Sequence, residues 1–354
     1  MLLSACGGGA APASSSAPAP ASAKTSSSAS SSSAAGPSAS ASTSSAPASS
    51  SASTVAGGKL VISFSNLSAD QMQPWMAQEG GFFRKHGLDT TVQLIESSQG
   101  VAALISGQTQ FAAVGGSEVI SAIASGADLV ILATLAPVYP YKFEVNASIK
   151  DKADLRGKKI GVSRIGSSSD TATRLALRRY GLDPDKDVSI LQVGSLSART
   201  AAMLDGAIQA GLSQPPDTLT LESKGFHPLF DLASMGLAAA NTVIVAKRTW
   251  VNDHHDVVQR FMAGLLEGSN RMLTDKPFAI GVMKKYLKQK DEQKLSVAYD
   301  YFTKEVLPAV PAPKVEQFKD LLPEVAKRNP KVKDLDVAKS LDPSFIDEAS
   351  KTAK

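Results

Sequence analysis

From Lys59 onward, short apolar runs alternate with longer stretches whose apolar positions recur at helical spacing. The first run, Leu60–Phe64, is β-prone and ends in a polar loop over residues 65–70. Pro74 then suits the first turn of a helix that stops near Gly80-Gly81. The pattern predicts further strands at residues 91–95, 111–114 and 129–132, with helices at 101–105 and 118–124 between them. It resumes with strands at 159–162, 188–192 and 208–212, separated by helices at about 170–180 and 198–204 and followed by one running to Lys224. Alternation of this kind predicts an α/β fold with mainly parallel sheets. After a strand at 242–246 the pattern turns helical to the end, with helices near 253–273, 277–286, 292–302 and 313–325.

One internal echo adds an architecture. Gly87-Leu88-Asp89 opens a stretch that reaches Leu104-Ile105-Ser106-Gly107, and Gly181-Leu182-Asp183 opens another that reaches Met203-Leu204-Asp205-Gly206. Each reads as strand, helix, a Gly that closes the helix, and a short apolar strand. Generic βαβ likeness gives the same pattern by chance, but two similarly built lobes explain it better. Ligands of open α/β sheets bind outside the carboxyl ends of the strands, so two facing lobes put one ligand in the cleft between them.

Residues 1–57 are of another kind: Ser, Ala, Pro, Gly and Thr, with hardly any large apolar side chain and Lys24 as the one charge. Such a tract buries too little surface to offset its ordering entropy, so it is expected to be a disordered tether with a reach on the order of 40 Å. Leu3-Ser4-Ala5-Cys6 at its start resembles the lipobox of bacterial lipoproteins, whose cysteine is diacylated. A charged n-region and an apolar h-region do not precede it here, so a chance cysteine in a low-complexity tail stays open beside lipidation at Cys6.

Composition then removes whole classes of function. The 37 Lys and Arg against 33 Asp and Glu leave a net charge of +4 with no dense basic stripe, which argues against nucleic acid. No run of about 18 apolar residues is present to span a membrane. The single cysteine excludes an internal disulfide and a cysteine-based zinc cluster, and His86, His227, His254 and His255 lack metalloprotease spacing. No cofactor is implied, and a monomer is expected.

The candidate chemistry lies in loops between strand and helix. Residues 161–170, Gly-Val-Ser-Arg-Ile-Gly-Ser-Ser-Ser-Asp, nearly read as a phosphate-binding loop, but Ser167 stands where the lysine would be. Free N–H groups, the positive helix end and three hydroxyls still suit an anion or a polar oxygen. Arg164, Ser167, Ser168, Ser169 and Asp170 are therefore candidate ligand contacts, although Ser168 or Ser169 serving only as helix cap is the plainer alternative. Gly115-Gly116-Ser117-Glu118 holds the same place in the first lobe, with Gly116 allowing close approach and Ser117 and Glu118 as contacts or as an ordinary cap. Gln214 follows a third such strand. Trp75 is a candidate pocket floor, though a helical Trp is more often core. Tyr139 lies where the chain should leave the first lobe, as pocket wall or hinge packing. Residues 253–256, Asp-His-His-Asp, read as a helix start rather than a surface metal site.

Four segments in order, residues 75–89, 114–126, 160–182 and 212–225, resemble the nitrate/sulfonate/taurine and thiamine-pyrimidine group of ABC-transporter substrate-binding proteins. "EGGFFRKHGLD", "AAVGGSEVISAIASGAD", "DLRGKKIGVSRIGSSSDTATRLALRRYGLDPDKDV" and "LSQPPDTLTLESKGF" carry the likeness, which extends from residue 59 to about 325. It implies a type II periplasmic-binding-protein fold: two α/β lobes, a hinge, an interlobe cleft and two crossing strands. The expected division is 58–140 plus 241–354 for lobe 1 and 141–240 for lobe 2, with crossings near 139–142 and 238–242. The resemblance further implies an extracytoplasmic protein, periplasmic or anchored by lipid alone, that closes on a small solute and delivers it to a separately encoded permease and ATPase. It maps ligand groups onto Asn66, Gln73, Ser117, Glu118, Ser167, Ser168, Asp170 and Gln214. An enzyme on the same fold, similar to the eukaryotic pyrimidine-precursor synthase, is the alternative; its cysteine-rich motif has no counterpart after Cys6. A sensor-coupled binding domain is another. The serines favour a sulfonate, carboxylate or nitrate, whereas Glu118 and Asp170 favour a neutral or amine-bearing ring such as an aminopyrimidine, and the sequence leaves both open.

Overall fold

The computed structural model describes residues 59–352. The expected tether and Cys6 lie outside them. Strand β1 (Leu60–Phe64) leads through a short 3-10 turn into helices α1 (Met72–Glu79) and α2 (Phe82–Lys85). Then come β2 (Thr90–Leu94), α3 (Ser97–Ser106), β3 (Phe111–Val114), α4 (Gly116–Ala124) and β4 (Leu129–Ala136). These form one sheet in the order β2-β1-β3-β10-β4, whose β10 (Thr242–Lys247) arrives much later in the chain. The second sheet is built from β5 (Lys142–Val145), β6 (Lys159–Val162), β7 (Ser189–Gln192), β8 (Ala210–Ser213) and β9 (His227–Asp231), in the order β7-β6-β8-β5-β9. Its helices are α5 (Ser168–Arg179), α6 (Leu196–Leu204) and α7 (Asp217–Glu222).

The two sheets are copies of one plan. In the first, β1 runs parallel to β2 and β3, and β10 is antiparallel to both β3 and β4. In the second, β6 runs parallel to β7 and β8, and β5 is antiparallel to both β8 and β9. The internal echo is therefore a structural repeat: α3 and α6 occupy equivalent places, and Gly107 and Gly206 behind them take φ of 82° and 73°, where a side chain would be strained. The antiparallel strand inside each sheet belongs to the chain that has just crossed from the other lobe.

Two strands escape the sequence pattern. In β5 the alternation Lys142, Phe143, Glu144, Val145 puts charge at every second position, and β9 contains Pro228, which an edge strand tolerates because one side of it donates no ladder bond. The helix expected over 313–325 is broken into a 3-10 turn, Val315–Phe318, and α12 (Leu321–Ala326). The long C-terminal helices otherwise follow the periodicity: α8 (Arg248–Asp253), α9 (His255–Thr274), α10 (Lys276–Leu287) and α11 (Glu292–Tyr301) precede α12, and α13 (Ser344–Thr352) ends the fold. They bury one face of the first sheet, with Phe111 stacked 3.7 Å from Phe261 of α9. Burying an aromatic ring of this size contributes about 1.5–3 kcal/mol. No helix among the described residues is long and apolar enough to cross a membrane.

Candidate functional site

The carboxyl ends of the parallel strands of both sheets face a single cleft. Its walls come from the loop after β1 (Ser65, Asn66, Asp70), the start of α4 (Gly115, Glu118), the loop after β6 (Ser163 to Ser169), the start of α6 (Gly194 to Arg199), Gln214 after β8, and Asn241-Thr242 where the chain returns. About 650 Å³ lies between these walls, the mouth included. The lobes already touch. Gln214 of the second lobe donates to Asp70 of the first at 3.2 Å, and Ser168 Oγ donates to the Asn241 carbonyl oxygen at 3.2 Å.

The serine loop satisfies itself locally. Ser167 Oγ caps α5, accepting from Asp170 N at 3.4 Å, and donates to the Arg164 carbonyl at 2.7 Å. Ser169 Oγ accepts from Ser163 N at 2.9 Å. Only Ser168 reaches across, its hydroxyl lying 3.4 Å from Glu118 Oε2. The positive end of α5 meets a negative charge inside the protein: Asp170 is fully buried there and accepts from Gly166 N at 2.7 Å and from Arg174 Nε at 2.8 Å. Arg328, following α12 of the first lobe, completes its surroundings. A few residues along α5, Arg178 Nε donates to Glu324 at 3.2 Å, so α5 makes two interlobe ion pairs, one with α12 and one with the residues just after it.

The remaining candidates fall on both sides of the cleft wall. Asn66, Glu118, Arg164, Ser167, Ser168, Ser169 and Gln214 line it. Gln73, Trp75, Ser117, Tyr139 and Asp170 are buried behind it, each at most 1% exposed. Trp75 is core rather than floor, stacked on Tyr286 at 4.8 Å and edge-on to Phe64 at 5.2 Å. Tyr139, at the crossing between the lobes, packs its ring into the core of the second lobe, where burial pushes its phenol far above the usual range. Gly116 touches the returning chain: its N–H donates to the Ala240 carbonyl at 3.1 Å, and a Cβ there would overlap that same oxygen. At the 253–256 segment, His254 stacks on Trp250 and joins α8 to α9, and no group of three metal-ligating side chains occurs among the described residues.

Sequence reasoning passed over the residues that knit the cleft. Asp70, 2% exposed, receives Gln214 Nε2 on one oxygen and both Asn241 Nδ2 (3.0 Å) and Thr242 Oγ1 (2.6 Å) on the other, with Ser68 as a further donor. Arg199 ties the ends of three strands together through Ser163 Oγ, the Gly194 carbonyl at 3.1 Å and the Leu212 carbonyl at 3.4 Å. Burial lowers its pKa, which the nearby Asp217 opposes. Tyr141 also lines the cleft, its phenol pushed up by burial and then by the Asp70 charge. An Asp in a βα loop and an Asn just before a strand were the available signals; an Arg on an amphipathic helix gave none.

A protein-family model described as NMT1/THI5 like matches residues 69–277. Curated sequences offer no match. Solved structures share the fold. A protein from Bordetella bronchiseptica RB50 is 19% identical with a TM-score of 0.71, covering 83% of this chain and 97% of its own. The alkanesulfonate-binding protein SsuA from Xanthomonas axonopodis pv. citri, bound to MOPS, is 20% identical with a TM-score of 0.65, covering 80% and 98%. The desulfurization enzyme DSZB is 15% identical with a TM-score of 0.60, covering 84% and 100%. These likenesses establish the two-lobed periplasmic-binding-protein fold expected from the sequence. With a family model matched over more than half of its length, the chain belongs to the NMT1/THI5 like family, within the group that its four sequence segments resemble.

Proposed function

We propose that this protein is the extracytoplasmic solute-binding component of an ABC importer, closing its lobes on a small solute rich in N–H donors, such as an aminopyrimidine, and passing it to a separate permease and ATPase. The family and the fold shared with a sulfonate-binding protein support the transport role. One observation carries the ligand class. Gln214 Oε1 and Asn241 Oδ1, on residues each 2% exposed that line the cleft, have no hydrogen-bond partner in the described structure. A buried acceptor left unpaired costs about 1–3 kcal/mol, which a donor on the solute offsets. Glu118 and Asp70 add negative charge to the same walls, and Asp170 already answers the positive end of α5. An oxyanion would meet these carboxylates at close range in a poorly screened cleft.

The hydrogen bonds that join the two walls, Gln214 to Asp70 and Ser168 to the Asn241 carbonyl, support hinge opening and closure, because parting them widens the cleft for a solute. Crossings near 139–142 and 238–242 are the proposed hinge, dividing the chain into 58–140 plus 241–354 and 141–240. Cys6, lipidated at the end of its tether, is the proposed anchor of a monomeric protein. A second reading, an anionic group held beside Arg199, draws on that buried guanidinium in the cleft wall. Catalysis finds less support: the chain has no cysteine beyond Cys6 to match the synthase motif.

Calorimetric titration with 4-aminopyrimidine, ethanesulfonate, nitrate and taurine tests the ligand class. Tighter binding of 4-aminopyrimidine than of ethanesulfonate is expected; the reverse order refutes it. Small-angle scattering tests closure, since a radius of gyration unchanged at saturating solute would rule out lobe movement.

A further inference from the structure

We propose that Asp70 is a positioning residue that sets the polarity of the cleft: it forces two side-chain amides, one from the second lobe and one from the returning chain, to present carbonyl oxygens to the solute. The proposal rests on the cleft being the solute site. A carboxylate only accepts hydrogen bonds, and Asp70 is buried with both oxygens engaged. Its Oδ1 takes the NH₂ group of Gln214 and its Oδ2 takes the NH₂ group of Asn241. Neither amide can turn over without placing its own oxygen against a negative charge. Each therefore keeps its carbonyl as the group left for another partner, and in both residues that oxygen is the unpaired one. The hydroxyls of Ser68 and Thr242 donate to the same carboxylate and hold it in place.

Asp70→Asn reverses this logic with almost no change of shape. One of the two oxygens becomes an NH₂ group. If it is Oδ1, Gln214 faces a donor; if it is Oδ2, Asn241 does. Whichever it is, one amide must turn its carbonyl inward and its NH₂ toward the solute. Selection for N–H donors should then fail although nothing the size of a methyl group has moved.

The test compares two neutral probes that differ by one amino group, 4-aminopyrimidine and pyrimidine, so that the lost charge of Asp70 affects both alike. The wild-type protein should bind 4-aminopyrimidine about tenfold tighter, the worth of roughly one hydrogen bond. Asp70→Asn, verified as folded by its unfolding transition, should shrink that ratio to within about twofold. A folded Asp70→Asn protein that keeps the wild-type ratio overturns the proposal while leaving the solute-binding reading intact. A wild-type protein that prefers ethanesulfonate to 4-aminopyrimidine overturns the donor-rich reading and this proposal with it. Should Asp70→Asn not fold, Gln214→Met removes one aimed carbonyl while sparing Asp70. The ratio should fall in that variant too, and an unchanged ratio would show that the amide has no part in selecting the solute.

Discussion

Replacing Glu144 by Gln should remove a pH-dependent loss of stability. Glu144 lies on a strand inside the second sheet, paired with Gly211 on one side and Pro228 on the other. Its side chain is fully buried, and both carboxyl oxygens lack a partner in the described structure. Burial pushes its pKa up from about 4.5 to about 7, Glu222 of α7 adds to the rise, and Lys142 opposes it. Lys142 gives limited relief because its ammonium is paired with Glu222 at 3.0 Å. Below pH 4.5 the folded and unfolded chains both hold the proton, and Glu144 exerts no pH effect. Between about 4.5 and 7 the unfolded chain releases it while the folded chain keeps it, so stability falls as pH rises. Above 7 both are ionised and the penalty stays constant. One proton gives a slope of at most about 1.4 kcal/mol per pH unit. Lys142 and Glu222 are each roughly one-third exposed, so solvent screening reduces the total to about 1–2 kcal/mol. Urea unfolding at half-unit steps from pH 4.5 to 8.5 measures this for both proteins. The difference between them should open through pH 4.5–7 and level off above. Any packing cost of the Glu144→Gln substitution displaces the variant's curve by a constant, so parallel curves would refute the argument.

Four further substitutions probe the cleft and its braces. Gly116→Ala drives a methyl group into the backbone carbonyl of Ala240, which cannot swing aside as a side chain can, and should cost about 1–3 kcal/mol in denaturant unfolding. Asp170→Asn puts a neutral amide beside Arg174, which keeps Asp185 as its carboxylate partner, and weakens the link to Arg328, so a loss of about 1–3 kcal/mol is expected, seen as a lower urea midpoint. Ser167→Ala removes the cap of α5 and should cost about 1 kcal/mol of stability with little change in solute affinity, whereas Ser168→Ala, which removes the contact with the Asn241 carbonyl and Glu118, should act mainly on affinity. Thermal melts and calorimetry on each protein separate the two.

Strands buried on both faces, such as β3 and β4, are legible because the chain writes them as largely apolar runs. The repeat is legible because each lobe needs its own glycine-closed helix ahead of such a strand. By contrast, β5 is hidden because one of its inward positions is a glutamate, and β9 because an edge strand accepts a proline. At the cleft, the loop after β6 announces itself through its serines, yet what those serines touch depends on residues 50 or more positions away, Glu118 and Asn241. Asp70 shows locally only as an acidic residue in a βα loop, beside its donor Ser68. Its role arises from three donors that tertiary folding brings from positions 214, 241 and 242. Trp75 shows the converse: its ring is where a pocket floor would be expected from the sequence, but Tyr286 of a distant helix claims it.

The exchange of strands between the sheets also dictates an order of assembly during synthesis. All five strands of the second sheet lie within one uninterrupted stretch, so that sheet can complete itself as soon as β9 leaves the ribosome. The first sheet begins earlier and must finish later. Its strand β4, eight residues long and buried throughout, has β10 as its strand neighbour in that sheet, and β10 emerges on the order of a hundred residues afterwards. Until then β4 is an apolar edge without a partner, the kind of segment that aggregates or recruits a chaperone. A nascent chain stalled before Thr242 would thus carry a finished second lobe attached to an adhesive, half-built first one, with β4 in need of shielding until the last strand arrives.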